Sequence, residues 1–329
     1  MRRFLGVDGG GSKTRFLVID ESGRVLATHV EGSAYYLEIG LEALEKLLAR
    51  GIGQTLAQAR LSSDDLTFAF LGLPAYGEDR SFIPRLDAAP SAALAHRRYR
   101  CGNDMVCGWA GALAGADGIN IVAGTGSIAY GEFAGRSARA GGWGELFGDE
   151  GSAYWLAREG LRLFSRMSDG RTPRADLYER VRRHLGLEDD LDLCAAVYGK
   201  PLAQRSQFAQ LSRLVSEAAR AGDAAALGLF TDTARELADM VEAVAAALQI
   251  PANAPLAVSY SGGLFELGAL VLGPLKAELA RRSPMLRLTA ARLPPHAGAA
   301  LQAARLGGFP LGAASIAALE SHFPTSPSP

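Results

Sequence analysis

The same short pattern occurs twice in the sequence, once near the N-terminus and again from residue 122. Val7-x-Gly-x-Gly-Ser12 returns as Val122-x-Gly-x-Gly-Ser127, with the same residue type at every fixed position. In both copies an apolar run precedes the glycines, a second run follows them, and another turn leads to a third run. This spacing is typical of an antiparallel meander. A repeat over so long a distance indicates two related halves of domain size rather than a solenoid.

Strand-like and helix-like segments follow each meander. Apolar runs bounded by turns predict strands at 4–8, 15–20, 24–30, 66–73, 98–101, 118–123, 128–133, 136–140, 257–260 and 285–291. Apolar residues at helical spacing predict helices at 42–60, 105–114, 149–166, 206–221, 223–248, 264–282 and 296–306. Strands and helices mixed in this order predict an α/β protein with two lobes and a cleft between them.

The repeat also suggests where the lobes begin and end. We expect the first lobe to span residues 1–115 and the second, which includes a helical insertion, to span 116–306. Residues 307–329 then form a tail, and its Ser/Pro-rich end, 324–329, is expected to be disordered.

Length and composition fit an enzyme of two domains. The chain has 329 residues, of which 48% are hydrophobic and 21% charged. Its net charge of −1 gives no reason to expect nucleic acid or an anionic membrane as a partner. No apolar run reaches the ~18 residues of a membrane-spanning helix, and the N-terminal residues do not resemble a signal peptide. Three widely spaced cysteines suit a reducing compartment, so we expect a cytoplasmic protein.

The glycine-rich turns are the first candidates for chemistry. A strand-like run follows the turn at 8–14, whereas a helix follows the glycines of a dinucleotide-binding motif or a P-loop, so neither motif fits. Glycine turns between strands let backbone N–H groups surround an anion. Either turn alone reads more simply as a tight hairpin, but two matching turns favour loops that hold a polyphosphate. A third turn, Ser261-Gly262-Gly263, is a weaker signal for a phosphate or a planar ring.

Four motifs together are more specific than any one glycine turn. They are Asp8-Gly-Gly-Gly-Ser-Lys-Thr, Gly102-Asn103-Asp104, Gly124-Thr125-Gly126-Ser127 and Gly141-Gly142-Trp143-Gly144-x-x-x-Gly148-Asp149-Glu150-Gly151-Ser152. They resemble the N-acetylglucosamine kinase and glucosamine kinase group of the BadF/BadG/BcrA/BcrD ATPase family, within the sugar kinase/Hsp70/actin superfamily. The resemblance extends from residue 4 to about residue 306, and its last motif is the most specific.

The resemblance implies a fold, an activity and partners. Each lobe is expected to be actin-like, with a ribonuclease-H-like fold, and ATP and an amino sugar are expected in the central cleft. The implied reaction is ATP-dependent phosphorylation of the 6-hydroxyl of glucosamine or N-acetylglucosamine, with Mg²⁺ as a cofactor. A homodimer is implied as well.

The resemblance also assigns roles to single residues. Asp104 is the expected catalytic base, although an Asp before a helix could serve as its N-cap, a role that Asn103 could take instead. Asp8 is expected to hold Mg²⁺, through water. The expected contacts to ATP and its phosphates are Gly10, Gly11, Ser12, Lys13, Thr14, Gly124, Thr125, Gly126, Gly262, Gly263, Phe265, Phe208 and Ala209. The expected contacts to the sugar are Tyr35, Asn103, Asp104, Ser127, Gly142, Trp143, Gly144, Glu145 and Asp149.

Several of these residues have a plain structural alternative. Ser12 and Thr125 could bond within their own turns. Trp143 could be part of the core. Asp149 could cap the predicted helix 149–166.

One position departs from the resembling kinases. Where they commonly have an Asn that contacts the sugar, this chain has Tyr35 or Tyr36. A bulky Tyr leaves less room for an acetamide, and Glu145 or Asp149 could accept hydrogen bonds from a free ammonium group. We therefore expect a modest preference for glucosamine, and the choice between the two sugars stays open.

Three other functions are alternatives. ATP-driven activators of dehydratases of the 2-hydroxyacyl-CoA type hold an iron–sulfur cluster through cysteines, whereas Cys101, Cys107 and Cys194 form no Cys-x-x-Cys pair. A zinc-bearing sugar kinase of the ROK type would have clustered His and Cys residues, and the histidines here are scattered. A sensor of sugar or nucleotide without activity is the third, although Asp8, Asp104 and both glycine turns are intact.

Overall fold

The computed structural model describes residues 1–198 and 204–323. Its strands are β1 Arg3–Gly9, β2 Thr14–Asp20, β3 Val25–Glu31, β4 Phe68–Leu73, β5 Tyr99–Asn103, β6 Gly118–Ala123, β7 Ser127–Phe133, β8 Arg136–Gly141, β9 Leu256–Ser261 and β10 Leu286–Thr289. Its helices are α1 Tyr36–Ile39, α2 Leu41–Ala59, α3 Ile83–Ala88, α4 Ser91–Leu94, α5 Met105–Ala112, α6 Ala153–Ser168, α7 Asp176–Leu185, α8 Asp192–Tyr198, α9 Arg205–Ala209, α10 Ser212–Arg220, α11 Ala224–Ala247, α12 Ala269–Arg282, α13 Pro295–Leu306 and α14 Ala313–His322.

These elements form two compact units. The first unit contains Met1–Asp117 and the described residues from 290 to 323, and the second contains the described residues of Gly118–Thr289. The first break lies close to the boundary at 115 that the repeat suggests. Residues 290–306 differ from the sequence-based division, because they pack in the first unit rather than the second.

The sheet of the first unit has the order β3-β2-β1-β4-β5. β1 is antiparallel to β2, and β2 is antiparallel to β3, which gives the predicted meander. β4 runs parallel to β1, and β5 runs parallel to β4. Consequently the carboxyl ends of β1, β4 and β5 lie along one edge of the sheet.

Helices cover both faces of this first sheet. Alternating residues of β1 separate the two cores: Leu5 and Val7 pack in the cluster that contains the apolar face of α2, whereas Phe4 packs in the cluster that contains α13. α13 is rich in alanine and lies very close to the strands. A Cβ at Gly6 would overlap the backbone of α13 at Ala300.

The second unit repeats the topology of the first. Its sheet has the order β10-β9-β6-β7-β8, with β6, β7 and β8 antiparallel and β6, β9 and β10 parallel. Strands β6 to β10 therefore correspond one by one to β1 to β5. This confirms the α/β class and the two related halves that the sequence predicts.

The helix bounds differ from the prediction at four places. The predicted helix 149–166 begins only at α6, where the Ser152 hydroxyl accepts a hydrogen bond from the Trp155 N–H, so Asp149 is not its cap. The predicted helix 206–221 is divided into α9 and α10, and the predicted helix 264–282 opens as a 3₁₀ turn. Gly268, at φ 63°, separates that turn from α12. The predicted tail contains α14, while 324–329 lies outside the described residues.

Candidate active site

Two aspartates lie at the carboxyl ends of neighbouring strands in the first unit. Asp8 pairs with Gly72 across β1 and β4, and Gly72 pairs with Gly102 across β4 and β5. Asp104 follows β5 directly, and a Cβ at Gly72 would come within 3.1 Å of the Asp104 Cα. The parallel register therefore brings Asp8 and Asp104 to one edge of the sheet, with a glycine between them.

The carboxyl groups of Asp8 and Asp104 are largely shielded from water, although each residue keeps some exposed surface. Burial and, to a lesser degree, the Asp104 carboxylate raise the pKa of Asp8 to about 7, and Arg15 and Lys13 oppose the shift. Burial likewise raises the pKa of Asp104 to about 6, against the backbone N–H groups of Asp104 and Met105. Two close carboxylates with raised pKa values favour either a shared proton or a bound cation.

The start of α5 leaves the Asp104 carboxylate free of a capping role. Asn103 Oδ1 accepts a hydrogen bond from the Met105 N–H at 3.1 Å, and its Nδ2 donates to the Tyr76 carbonyl at 3.2 Å. The Asp104 side chain makes no capping hydrogen bond. Asn103 is thus committed to the chain itself, and its predicted sugar contact would have to share these groups.

The first glycine loop, residues 10–13, is mostly open to solvent. Gly11, Ser12 and Lys13 are exposed, and a Cβ at Gly11 would meet nothing within 4 Å. Packing therefore does not explain a glycine at position 11, whereas the close approach of a ligand to the backbone would. Thr14 does not share this exposure. It is fully buried and its hydroxyl donates to the Gly32 carbonyl at 2.8 Å, so the hydroxyl is engaged within the chain; its predicted phosphate contact stays a prediction.

The segment with the two tyrosines lies beside this loop. The Ala34 N–H donates to the Gly10 carbonyl at 3.0 Å, and the Tyr35 N–H donates to Ser33 Oγ at 3.1 Å. Tyr35 is half-buried and packs against the core of the first unit. Tyr36 is buried next to Phe82. The structure therefore places Tyr35 close to the predicted phosphate loop, with part of its ring taken up by the core.

The second glycine loop, residues 124–127, is fixed to the elements around it. The Gly124 N–H donates to the Gly126 carbonyl at 2.9 Å, and the Gly124 carbonyl accepts from the Ala153 N–H at 2.8 Å. The Thr125 side chain stays exposed. A Cβ at Gly124 would lie 3.8 Å from the Gly263 nitrogen, so the third glycine turn faces this loop.

The third turn needs its first glycine. Gly262 has φ 106°, and a Cβ there would overlap the Ala123 carbonyl at the end of β6. Gly263, in contrast, has open space around its Cβ position. The structure thus brings Gly124, Thr125, Gly126, Gly262 and Gly263 together in the second unit, as the prediction of one phosphate-binding region requires.

Three residues predicted to contact the nucleotide are in the hydrophobic core of the second unit instead. Phe265 is buried and its ring centroid lies 4.9 Å from that of Tyr260. Phe208 is buried with its ring centroid 4.6 Å from that of Tyr154, and Ala209 beside it is buried too. The apolar surfaces of these three side chains pack within the chain, and their predicted contact with the nucleotide stays a prediction.

Carboxylates and a guanidinium meet beneath the second glycine loop. Asp149 is only 2% exposed, has φ 57°, and its Oδ1 accepts a hydrogen bond from the Ser127 N–H at 3.3 Å. Its Oδ2 pairs with Arg205 Nη2. Arg205 Nε lies 3.1 Å from Glu145 Oε2, out of line for a hydrogen bond, so this second contact is an ion pair. Ser127 is buried and its hydroxyl donates to the Glu150 carbonyl at 2.6 Å, a structural role in place of the predicted sugar contact.

The glycines before Asp149 shape an exposed segment, residues 142–148. Gly142 and Gly144 have φ values of 68° and 87°, in the region that favours glycine. Trp143 is 64% exposed, so the alternative that it belongs to the core is wrong. Leu146 and Phe147 are exposed as well. A run of exposed apolar side chains next to buried polar groups is typical of a ligand-binding surface.

Comparison with known proteins decides the relationship that these motifs suggest. Residues 5–303 match the BadF/BadG/BcrA/BcrD ATPase family. The chain belongs to this family. An N-acetyl-D-glucosamine kinase from Dictyostelium discoideum is 28% identical over 91% of this chain and 97% of its own length. The glucosamine kinase GspK from Vibrio cholerae is 28% identical over 72% of this chain and 78% of its own length.

A solved structure supports the fold over the same range. A candidate N-acetylglucosamine kinase from Chromobacterium violaceum is similar to this chain with a TM-score of 0.70 at 28% identity. The match covers 92% of this chain and 98% of that one. The BadF/BadG/BcrA/BcrD fold therefore extends through both units.

The cysteines of this family member do not suit a metal cluster. Cys101 and Cys107 are buried, and burial raises the pKa of each thiol well above its usual range. Cys194 is exposed and lies in the other unit. An iron–sulfur cluster requires thiolates, which these two buried environments disfavour. Within 1–198 and 204–323, no three His, Cys, Asp or Glu residues form a group that could hold a metal.

Sequence reasoning missed two charged residues of the site. Glu78, in the loop after β4, raises the pKa of Asp104. Arg205 belongs to no recognisable motif, and its contacts with Glu145 and Asp149 join residues far apart in the chain. A lone arginine at the start of a predicted helix carries no signal of this kind. Separately, no helix of the described residues is long and apolar enough to cross a bilayer.

Proposed function

We propose that this chain is an ATP-dependent amino-sugar kinase that phosphorylates the 6-hydroxyl of N-acetylglucosamine or glucosamine. The observation that carries the proposal is the pair Asp8 and Asp104 at the ends of β1 and β5, beside an open glycine loop. Phosphoryl transfer needs a base near the attacking hydroxyl, donors around the phosphates and positive charge on them. The first unit contains the proposed base and a glycine loop suited to phosphate.

Asp104 is the proposed base. Its pKa, raised to about 6 by burial, is near the range in which a carboxylate is ionised at neutral pH yet still accepts a proton readily. As the sugar oxygen forms its bond to the γ-phosphorus, the bond from that phosphorus to the β-phosphate oxygen breaks. The hydroxyl proton passes to Asp104, and ADP leaves.

Mg²⁺ is part of the proposal, and the donor set fits it. Asp8 and Asp104 form a pair of oxygen donors, and burial, the main cause of their raised pKa values, leaves their charge poorly solvated. Mg²⁺ is usually held by one or two carboxylates, waters and substrate phosphates. Asp8 would hold it, and the ion would neutralise phosphate charge during transfer. We propose phosphate contacts for the backbone N–H groups of the first glycine loop with the exposed Ser12 hydroxyl. In the second unit, we propose them likewise for the second glycine loop with the exposed Thr125 hydroxyl.

The pairing of Glu145 and Asp149 with Arg205 alters our choice of sugar, because their charge is already partly compensated within the chain and attracts an ammonium group less. Tyr35 packs partly against the core of the first unit, so less of its bulk is left to crowd an acetamide. Both reasons for preferring glucosamine are therefore weakened. We propose N-acetylglucosamine as the better substrate, with a kcat/KM ratio of about 10 or more over glucosamine.

ADP release in the presence of MgATP tests this function. We expect release that depends on N-acetylglucosamine, slower release with glucosamine, and none above background without sugar. The 6-deoxy analogue of N-acetylglucosamine is the matched control, because it keeps the 2-substituent and lacks the attacking hydroxyl.

Each alternative gives a different result in that assay. ADP release at the same rate with and without sugar would favour an ATPase of the activator type. Sugar binding without any ADP release would favour a sensor. A kcat/KM ratio in favour of glucosamine would overturn the choice of sugar and leave the kinase proposal intact. The homodimer also stays a prediction, which light scattering on the purified protein would test.

A further inference from the structure

Arg205 lies between two parts of the second unit, the second glycine loop and the 142–148 segment. Phosphate contacts are predicted for the loop and sugar contacts for the segment. Its Nη2 pairs with Asp149, whose other oxygen accepts from the Ser127 N–H at the end of the second glycine loop. Its Nε lies 3.1 Å from Glu145 Oε2, in the exposed 142–148 segment. One guanidinium therefore connects the loop proposed for phosphate with the segment proposed for the sugar.

The chain around Arg205 is shaped to admit it. A Cβ at Gly126 would overlap Arg205 Nη2 and would come within 2.8 Å of Asp149 Oδ1. Asp149 has φ 57°, a left-handed conformation that a residue other than glycine rarely adopts without a specific reason. Its carboxylate is nearly fully buried, and buried carboxylates require a paired charge. Gly126 and the turn at Asp149 together make room for this pairing.

We propose that Arg205 is a positioning residue of the kinase reaction. It fixes Asp149 beneath the second glycine loop and Glu145 in the 142–148 segment, so that the phosphate and sugar contacts of this unit are aligned as one. The inference rests on the proposed function and on the predicted sugar contacts of Glu145 and Asp149. The planar guanidinium suits the task because it can reach two carboxylates in fixed directions at once, whereas a lysine ammonium is a single point charge.

Two variants separate positioning from folding. Arg205→Lys keeps the positive charge beside the buried Asp149 and loses the two-directional contact. Arg205→Gln removes the charge and leaves Asp149 without its ion-pair partner, so it is expected to lower Tm and the yield of folded protein. Arg213→Lys is the matched control, because Arg213 is exposed on the nearby α10.

We expect Arg205→Lys to fold with a Tm close to that of the wild type. Its KM values for sugar and for ATP should both rise about 10-fold or more, because small misplacements of contacting groups have large kinetic effects. Arg213→Lys should leave both KM values unchanged. A role in folding alone would lower Tm and leave the KM values unchanged well below the unfolding temperature.

A second readout does not depend on activity. The chain has three tryptophans, so 5-fluorotryptophan labelling gives three ¹⁹F resonances, and the exposed Trp143 is identified by its solvent isotope shift. We expect Arg205→Lys to shift or broaden the Trp143 resonance and to leave those of the buried Trp109 and Trp155 in place.

The outcomes distinguish this inference from the proposed function. A wild type without sugar-dependent ADP release refutes the kinase proposal, while the ¹⁹F spectra still test whether Arg205 holds the 142–148 segment. An active wild type whose Arg205→Lys variant has the same two KM values and the same Trp143 resonance refutes the positioning role.

Discussion

At the scale of single residues, the raised pKa values of Asp8 and Asp104 predict how the stability of the ligand-free protein changes with pH. Asp8 has an ordinary pKa of 3.8 and a value of about 7 in the folded chain, so the folded state binds this proton more tightly than the unfolded state. Its contribution to stability is therefore fully present below pH ~4 and is lost as the pH rises through ~7.

Asp8→Asn is expected to remove this loss. Without Mg²⁺ and nucleotide, the variant should have a Tm about 2–4 °C above the wild type at pH 8, which corresponds to about 1 kcal/mol, and little difference at pH 4. Thermal unfolding at the two pH values measures the effect. Asp64→Asn is the control, since the Asp64 side chain is 89% exposed. A lower Tm for Asp8→Asn at pH 8 would show that the ionised carboxylate is stabilising.

Some residues of the candidate site could be predicted from the sequence. The others could not, because the sequence does not tell which side chains become buried on folding. Asp8 and Asp104 stand at strand ends that the apolar runs already indicate, and the structure brings them together. The burial of Phe265 and Phe208 could not be predicted, because sequence does not tell which face of an aromatic ring the core will cover. The same holds for Thr14 and Ser127, whose hydroxyls donate to backbone carbonyls of segments that become neighbours only on folding.

At the scale of elements, the two glycine loops have different reasons for their glycines. A Cβ at Gly126 would overlap Arg205, whereas a Cβ at Gly11 would meet nothing within 4 Å. Gly126→Ala is therefore expected to lower Tm by several °C, since the Arg205 pairing must shift. Gly11→Ala is expected to leave Tm unchanged and to raise the KM for ATP about 10-fold, because the methyl group would meet the phosphates.

Thermal unfolding and steady-state kinetics on both variants test this contrast, and each variant is the control for the other. Equal ATP KM values for Gly11→Ala and the wild type would remove the first loop from the phosphate site. An unchanged Tm for Gly126→Ala would show that the Arg205 contacts are dispensable for stability.

The elements themselves were largely predictable, because period and turn residues report on local structure. All ten strands lie where apolar runs predict them, to within a few residues. The start of α6 was misplaced because Asp149 and Ser152 are both acceptable caps, and only the tertiary pairing of Asp149 with Arg205 decides between them. Gly268 interrupts the predicted helix 264–282, and the residues around it in the sequence do not predict this break.

At the scale of the whole molecule, the internal repeat predicts two units of the same topology, and both sheets have it. The repeat does not predict that the chain returns to the first unit after β10. α13 packs on β1, β4 and α5, where small residues such as Gly6, Gly111 and Gly298 permit close contact. This packing depends on the match of two distant small-residue surfaces, for which a single sequence gives no direct signal.

Asp104 is the proposed base of a sugar-dependent phosphoryl transfer, and the turnover of an Asp104 variant tests this role. The kcat for sugar-dependent ADP release is measured at saturating MgATP and N-acetylglucosamine for the wild type, Asp104→Asn and the exposed control Asp64→Asn, together with the Kd for nucleotide. We expect Asp104→Asn to lower kcat by ~10²-fold or more with nearly unchanged nucleotide affinity, because only the positioned base is removed. Asp64→Asn should match the wild type. If Asp104→Asn kept more than about half of the wild-type kcat, Asp104 would not be the base of the reaction.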